Sequence, residues 1–311
     1  MMQEKRPERL TIIAFILATI LGGNNAIAVR FSNVELPPSF GAGIRFAAAS
    51  LILFLIVFAM RLPLPKGRSL AGVLIFGVLQ FGISYALLYW SLLEVPAGLL
   101  QVTLALVPFL TFLFAILHRQ EIFQWRLLGG GLLAIAGIAI IFRDSLTDNV
   151  PLFSLLAVVL AAACFAESAV LFKTFPRSHP VTTNAVAMGM GAVVLFVASW
   201  IGREVPAWPT LPATWMALFY LVFLGSVGTF VLILFVLSRW TASATSYSLV
   251  LMPVVTVFFA SWITDEPITV SLLIGGVFVL AGVYIGALAP PNLLKRFTSW
   301  LPGVQDLNET E

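Results

Sequence analysis

The sequence contains few of the residues on which metal sites and most catalytic centres depend. In 311 residues it has one cysteine and two histidines, and only 10% of its residues are charged. The single cysteine, Cys164, excludes an intrachain disulfide and any zinc site that needs several cysteines. His118 and His179 lie far apart in the chain, so they indicate neither a metal site nor a catalytic triad. We therefore predict no catalytic residues, no metal and no cofactor, and we expect a protein that is not an enzyme.

Motifs for nucleotide hydrolysis and signs of nucleic-acid binding are also missing. The chain has no G-x-x-x-x-G-K-[ST] segment that would hold phosphates, so it has no ATPase of its own and implies no ATPase subunit. Its net charge is +3, but the basic residues form short clusters between apolar runs rather than one stripe. This distribution argues against a nucleic-acid partner.

Long apolar runs dominate what is present. Hydrophobic residues make up 60% of the chain and the mean hydropathy is +1.04, whereas about half of the residues of a soluble protein are apolar. Since a chain in lipid must satisfy its own backbone hydrogen bonds, and no alternation of residues indicates barrel strands, we predict an all-α polytopic membrane protein. A membrane span needs about 20 apolar residues, and ten runs qualify: 9–31, 38–60, 69–91, 96–117, 125–142, 152–173, 181–201, 212–238, 241–263 and 269–289.

The positive charges lie mostly on one side of this arrangement. Of the 17 lysines and arginines, 13 fall in connections on the side of the N-terminus, three fall on the other side, and Arg45 lies inside a span. Connections rich in lysine and arginine face the cytoplasm. We therefore predict that both termini are cytoplasmic.

The chain also repeats itself. Residues 106–140 align without gaps on residues 251–285, at an offset of 145, and residues 14–30 align on residues 157–173 at an offset of 143. The matched proline, threonine, glutamate and glycines count for more than matched leucines, because any two apolar spans share leucines.

The repeat divides the ten spans into two halves of five. Because five is an odd number, the second half enters the membrane from the opposite side, as is recurrent in secondary transporters. We predict a first five-helix repeat over residues 1–147, an inverted second repeat over residues 148–290 and a cytoplasmic tail over residues 291–311.

These features together resemble the EamA-type family of the drug/metabolite transporter superfamily. The resemblance is carried by the polar first span, by the segment PPSFGAGIRFAAASLIL that follows it, and by the pattern P-x-x-T…E…G-G…A-G that ends each half. It covers about residues 10–289 and implies ten helices, cytoplasmic termini, a cavity between the halves and export of small metabolites. Within the family, the chain is most similar to bacterial inner-membrane exporters of aromatic and other amino acids, which implies a multi-pass protein of that membrane.

Two polar pairs occupy matching depths in the first span of each half. Asn24 and Asn25 pair with Glu167 and Ser168 at the offset of 143. Polar groups in a span are costly and usually face a cavity or another helix, and in inverted halves the two pairs should approach each other. They either contact a substrate or only hold helices together. Glu167, the only carboxylate deep in a span, is a candidate for proton coupling, for anchoring a substrate amine, or for a protonated contact between helices.

Arg45 lies about two turns inside the second span. It either snorkels toward the outer headgroups or acts as counter-ion for Glu167 or for a substrate carboxylate. The other candidates for substrate binding are polar or aromatic residues of the third, fourth and ninth spans: Gln80, Tyr85, Gln101, Tyr247 and Ser248.

Two prolines occupy matching points of the two halves. Pro108 and Pro253 are paired by the offset of 145, and a proline within a helix frees a carbonyl and allows a kink. We predict that these residues are bending points of the gates, with a static bend as the alternative.

We predict a secondary transporter that exports small metabolites, with amino acids, including aromatic ones, as the leading candidates. It works by alternating access, has membrane lipids and its solute as partners, and is a monomer or a homodimer. Alternatives are a related exporter of nucleobases, polyamines or drugs, a lipid-acting membrane enzyme, and a helical scaffold that transports nothing.

Overall fold

Helices account for nearly all of the regular structure. A computed structural model describes residues 9–120, 125–147, 150–176, 178–237, 239, 242–263 and 267–285. Helix makes up 81% of it, and the described residues contain no strand. The all-helical class predicted from the sequence is confirmed, as expected for a chain that must satisfy its own backbone hydrogen bonds in lipid.

The described helices are named in chain order, with two π-helical segments between them. They are α1 (Arg9–Gly23), α2 (Asn25–Ser32), α3 (Pro38–Ala59), α4 (Gly67–Gly77), a first π-helical segment (Val78–Ile83), α5 (Ser84–Ser91), α6 (Ala97–Leu104), α7 (Val107–Leu117), α8 (Trp125–Thr147), α9 (Leu152–Phe172), α10 (Pro180–Ile201), α11 (Pro212–Phe219), a second π-helical segment (Tyr220–Gly228), α12 (Thr229–Leu237), α13 (Ala242–Ile263) and α14 (Val270–Val283).

Several of these helices join into longer runs that could cross a membrane. By length and composition, seven candidate spans occur in the described residues: Arg9–Ser32, Pro38–Ala59, Gly67–Ser91, Ala97–Leu117, Leu152–Phe172, Pro180–Ile201 and Pro212–Ile233. Three shorter apolar helical stretches lie within the remaining three predicted runs: Gly129–Ile141, Leu251–Ile263 and Val270–Gly282. The chain is thus a helical protein with many apolar membrane-length segments.

Four of the predicted runs are not single regular helices. The first divides at Asn24, whose side-chain Nδ2 donates to the carbonyl of Ile20 at 2.9 Å, because short amide side chains compete for backbone partners. The third and eighth runs contain the π-helical segments, and the fourth divides at residues 105–106. Hydropathy gives the length of a run but does not reveal these interruptions.

Contacts between helix ends sort the connections into two faces. At one face, the side chain of Gln120, after α7, donates to the carbonyl of Val170 near the end of α9. At the other, the backbone of Ser39, in the first turn of α3, donates to Glu204 after α10. We call the first the N-terminal face, since α1 begins on that side, and the second the opposite face.

Glycines allow a close contact between α8 and α14. A Cβ on Gly137 would lie 2.6 Å from the carbonyl oxygen of Gly275, and a Cβ on Gly282 would collide with the carbonyl oxygen of Gly130. The 145-residue offset exchanges these two contacts, since it pairs Gly130 with Gly275 and Gly137 with Gly282. The glycines of the repeat therefore bring two equivalent helices together within one chain.

Candidate substrate site

The π-helical segments are the first feature of the site that sequence reasoning missed. The hydroxyl of Ser84 donates to the carbonyl of Leu79 at 2.7 Å, and the hydroxyl of Thr229 donates to the carbonyl of Leu224 at 2.8 Å. The 145-residue offset again relates the two bonds. π-Helical turns are rare and often lie at functional sites, and both here adjoin the polar residues of the bundle.

Arg45 lies at the second of these segments. Its side chain is only 1% exposed. Nε donates to the hydroxyl of Ser226 at 3.0 Å, and Nη2 donates to the carbonyl of Gly225 at 3.4 Å. Nη1 lies 3.4 Å from the hydroxyl of Tyr89 and donates to it. These residues, together with Asn25, form what we call the arginine cluster.

Aromatic rings cover the guanidinium group of Arg45. Its central carbon lies 4.9 Å from the ring centroid of Phe46 and 5.3 Å from that of Tyr85. Tyr85 is half-buried, and its ring also contacts those of Phe46, at 4.6 Å, and Phe165, at 5.6 Å. Cation–π attraction of this kind is strongest where water is excluded.

The placement of Arg45 overturns two expectations, snorkelling toward headgroups and pairing with Glu167. Snorkelling toward headgroups is wrong, because the guanidinium group is buried among α3, α5 and the second π-helical segment. Arg45 is also not the partner of Glu167, whose carboxylate contacts His118. Arg45 instead donates to the carbonyl of Gly225 and the hydroxyl of Ser226 in the second π-helical segment. The hydropathy pattern could not reveal these partners.

Asn25 joins the arginine cluster, whereas Asn24 does not. Nδ2 of Asn25 donates to the carbonyl of Gly225 at 3.3 Å, the same carbonyl that Arg45 contacts. Oδ1 of Asn25 is buried without a hydrogen-bond partner, and a Cβ on Gly225 would collide with it. The amide of Asn25 therefore packs from α2 against the second π-helical segment, in the space that Gly225 leaves open.

Asn24 lines a separate groove between α2, α11 and α13. The groove has a volume of about 390 Å³ and is almost wholly apolar. Its wall consists of Asn24, Ile27, Ala28, Phe31, Ala213, Met216, Ala217, Tyr220, Phe259 and Ile263. Oδ1 of Asn24 is buried there without a partner, so the adjacent amides of the first run serve two different environments.

Ser168 and Gln80 form a second polar contact between the halves. The hydroxyl of Ser168 donates to Oε1 of Gln80 at 2.6 Å, beside the first π-helical segment. The repeat offsets pair Ser168 with Asn25 and Gln80 with Gly225. Each half therefore contacts the π-helical segment of the other half from its first apolar run, through Asn25 of α2 in one case and Ser168 of α9 in the other. Neither asparagine hydrogen-bonds to Glu167 or Ser168.

Glu167 lies nearer the N-terminal face than its position in an apolar run suggested. Its Oε1 is 2.7 Å from Nε2 of His118, and the two side chains are 28% and 33% exposed. The expectation of a carboxylate deep in the span is therefore wrong. His118 is a residue that sequence reasoning set aside as part of a connection, because no local pattern reveals a partner 49 positions away.

The remaining candidates are more dispersed. Gln101 is buried in α6, and none of the hydrogen bonds of the arginine cluster involves it. Ser248 is buried in α13, while the side chain of Tyr247 lies outside the described residues. Among the described residues, no group of three or more histidine, cysteine or acidic side chains could hold a metal ion.

The two prolines do not sit in equivalent backbone. Pro108 lies in the first turn of α7, directly after the break at residues 105–106, whereas Pro253 lies inside the continuous helix α13. A proline in the first helical turn needs no hydrogen-bond donor, so the chain can restart there. Pro108 thus follows a break instead of lying within a helix, whereas Pro253 lies within a helix as expected, and a bending role for either stays a prediction.

Carboxylates at the opposite face join the two halves. Glu35 accepts bonds from the hydroxyl and backbone of Thr210 and from the backbone of Leu211, ahead of α11. Glu204 accepts bonds from the backbone of Ser39 and Phe40 in the first turn of α3. Such carboxylates satisfy the free amides of a helix start and are favoured there by the helix dipole.

Glu35 is strongly acidified by these bonds. The hydroxyl of Thr210, together with the backbone amides of Leu211 and Thr210, lowers the pKa of the Glu35 carboxyl from 4.5 to about 2. A third carboxylate of this face, Glu94, accepts a hydrogen bond from Ser154 in the first turn of α9. Three carboxylates thus tie the connections of one half to helix starts of the other.

Comparison with known proteins identifies the family of this chain. The model of the EamA-like transporter family matches residues 9–143 and again residues 152–287. An uncharacterized transporter of Bacillus subtilis, YoaV, is 28% identical over 283 residues, which cover 88% of this chain and 95% of that protein. A probable terminal-alkyne amino-acid exporter of Streptantibioticus cattleyicolor is 27% identical over 244 residues, which cover 78% of this chain and 81% of that protein.

A solved crystal structure has the same fold. It superposes with a TM-score of 0.62 at 16% identity, over 93% of this chain and 98% of that chain. The family and these relatives are named for transport rather than for catalysis. With both halves matched by its model, the chain belongs to the EamA-like transporter family.

Proposed function

We propose that this protein is a secondary transporter that exports small amphipathic metabolites, foremost amino acids including aromatic ones, across the bacterial inner membrane by alternating access. The observation that carries the proposal is the family match over both halves of the chain. The relative named as a probable exporter of an amino acid supports the substrate class. The contacts of the bundle support the mechanism.

Ten spans in two inverted repeats make alternating access physically reasonable. The exchanged glycine contacts of α8 and α14 are what a pseudo-twofold axis between two halves would produce. The repeated π-helical segments, each contacted by the first apolar run of the other half, support the same arrangement. With both termini cytoplasmic, residues 1–147 and 148–290 form the repeats and residues 291–311 the tail.

Polar contacts between the halves at both faces are the proposed gates. Glu35 and Glu204 hold the opposite face closed, while His118 and Glu167 meet at the N-terminal face. In alternating access one set opens while the other stays formed, because a solute must never be exposed to both sides at once. Glu167 is also the candidate for proton coupling.

Substrate contacts are proposed for the polar centre between these gates. Asn25, Gln80, Tyr85 and Ser168 lie beside the π-helical segments. The further candidates are Asn24, Gln101, Tyr247 and Ser248. Aromatic rings beside neutral hydrogen-bonding groups suit a zwitterion with an apolar side chain.

Purified protein in liposomes tests the proposal. We expect saturable flux of labelled phenylalanine, and of related amino acids, in the absence of ATP. Nucleobases, polyamines and a cationic drug form the comparison panel. Flux of one of these solutes without flux of any amino acid would overturn the substrate class, and no flux of any solute would overturn the transporter assignment for this chain.

A further inference from the structure

We propose that Arg45 and Asn25 recognise the two charged ends of an amino-acid substrate. The guanidinium group of Arg45 binds the carboxylate, Oδ1 of Asn25 accepts from the ammonium group, and the rings beside Arg45 contact the side chain. This inference rests on the proposed function, because it names the groups by which the same site selects its solute.

The first argument is the charge of Arg45. The side chain is 1% exposed, and no carboxylate of the described residues lies within ion-pair distance of it. Its hydrogen-bond partners are two hydroxyl groups and one backbone carbonyl, all of them neutral. A buried cation costs several kcal/mol unless an anion accompanies it, and a guanidinium group fits a carboxylate with two parallel bonds. Three of its five N–H groups are engaged by the neutral partners, which leaves donors for such an anion.

The second argument is that the fold does not need an arginine at this place. α10 corresponds to α3 in the second half, and both are 22-residue helices with a proline in the first turn. Counted from those prolines, Arg45 corresponds to Ala187, which is fully buried. The backbone of Ala187 packs directly on Gly77, next to the first π-helical segment. An apolar residue thus performs the packing role in one half, so the cation in the other half serves a purpose beyond packing.

The third argument is the unsatisfied oxygen beside the cation. Oδ1 of Asn25 has no hydrogen-bond partner although it is buried. The position of a Cβ on Gly225 would touch this oxygen and would lie 3.5 Å from Nη2 of Arg45. An unneutralised cation and a free acceptor therefore flank one point, and a zwitterion supplies the missing anion and the missing donor together.

The aromatic rings complete the complementarity. The rings of Phe46 and Tyr85 lie over the guanidinium group, and Tyr85 contacts both Phe46 and Phe165 in edge-on geometry. Tyr85 is half-buried, whereas Arg45 is 1% exposed, so Tyr85 is the more accessible of the two side chains. Apolar and aromatic side chains gain most from this surface.

Competition on the wild-type protein in liposomes is the first test, and it needs no variant. Labelled phenylalanine competes with unlabelled phenylalanine, phenylalaninamide, which lacks the carboxylate, and 3-phenylpropionate, which lacks the ammonium group. Because a hydrogen bond to a charged group contributes about 1.5–3 kcal/mol, loss of the carboxylate weakens competition about 10- to 100-fold. Loss of the ammonium group weakens it less, since a neutral amide oxygen accepts from it.

Variants then assign the preference to its residues. Arg45→Met keeps the length of the side chain without its charge, and we expect it to abolish the preference for phenylalanine over phenylalaninamide. Arg45→Lys retains part of that preference. Asn25→Leu removes the preference over 3-phenylpropionate. Ser226→Ala, which removes a partner of Arg45 and leaves the cation, keeps the preference even where total flux falls.

The outcomes separate this inference from the proposed function. If the wild-type protein transports phenylalanine and phenylalaninamide equally well, the inference fails and amino-acid export stands. It also fails if Arg45→Met keeps the wild-type KM and discrimination. If Arg45→Met does not reach the membrane, the wild-type competition still decides. No amino-acid flux at all in the wild-type protein removes the proposed function as well as this inference.

Discussion

Single side chains explain most of what distinguishes this chain from a featureless apolar bundle. Arg45, Asn25 and Ser168 each reach across from one half to the other. Glu167, of the second half, pairs with His118, of the first half, at the N-terminal face. At the residue scale these polar groups therefore lie at contacts between the two halves.

Replacing the carboxylate of Glu167 tests its coupling role. We expect Glu167→Gln to transport substrate with a pH dependence flatter than that of the wild-type protein, because the amide cannot exchange a proton. Flux in liposomes between about pH 5.5 and pH 8, on either side of the ordinary pKa of histidine, measures it. His118→Gln is the matched variant, since it removes the partner and keeps the carboxylate. An unchanged rate and an unchanged pH profile in Glu167→Gln would remove the coupling role.

Much of the polar centre could be predicted from the sequence, but its pairing could not. The repeat identified Asn25 and Ser168 as candidates, and Gln80 was a candidate as one of the few polar residues in the third apolar run. It could not assign Glu167 to His118, since that contact depends on how two helices far apart in sequence end beside each other. It also missed the π-helical segments, because they depend on a hydroxyl group five positions beyond a carbonyl, a spacing that no hydropathy pattern displays.

Pairs of helices carry the symmetry of the bundle. The contact of α8 with α14 depends on glycines, whereas α3 and α10 pack along their whole length with a hydrogen bond from Ser50 to the carbonyl of Ala185. Element bounds followed the apolar runs to within a few residues, because lipid requires continuous apolar helices. The breaks at Asn24 and before Pro108 depend on particular side chains, and so they appear only in three dimensions.

Adjacent glycines in α14 give a matched test of this packing. In Gly275→Ala the Cβ would press against Ile141 and lie 2.5 Å from the carbonyl oxygen of Gly137. We expect a loss of about 1–3 kcal/mol of stability, as for other overpacked contacts. At Gly276 nothing lies within 4 Å, so Gly276→Ala leaves stability unchanged or raises it slightly through helix propensity. Thermal unfolding in detergent compares the two variants, and equal effects would contradict the close approach of α8 and α14.

The contact of Glu35 with the start of α11 predicts a defined pH range. Because the pKa of Glu35 falls from 4.5 to about 2 in the folded protein, its contribution to stability is complete above 4.5 and is lost as the pH falls from there toward 2. We expect the Tm of Glu35→Gln in detergent to lie below that of the wild-type protein by a constant amount between about pH 5.5 and pH 8, with the gap closing in more acidic solution. A gap that changed across the neutral range would contradict this assignment and would point to another group.

The whole molecule is two related halves joined at both faces. Family membership and fold are common to many transporters. The two halves differ in charge: one carries the buried cation Arg45, and the other carries the apolar Ala187 at the place that corresponds when both are counted from the prolines that begin α3 and α10. A site whose two sides pack alike but differ in charge suits an amino acid, which has a carboxylate at one position and an ammonium group at another.

The orientation of the first half in the membrane is tested by reporters fused to the truncated chain. A fusion after residue 120 is expected to place its reporter in the cytoplasm, and a fusion after residue 147 to place it outside. Green fluorescent protein reports the first location and alkaline phosphatase the second. The reverse pattern would refute the orientation derived from the charge distribution.

The central claim, alternating access to one amino-acid site, is tested most directly by counterflow. Liposomes that contain the purified protein are loaded with unlabelled phenylalanine and diluted into a trace of labelled phenylalanine, without ATP or an ion gradient. The account predicts that label accumulates transiently inside, above its external concentration, and that it then drains as the unlabelled pool leaves. Entry of label that rises only to equilibrium, or no protein-dependent entry, would contradict it.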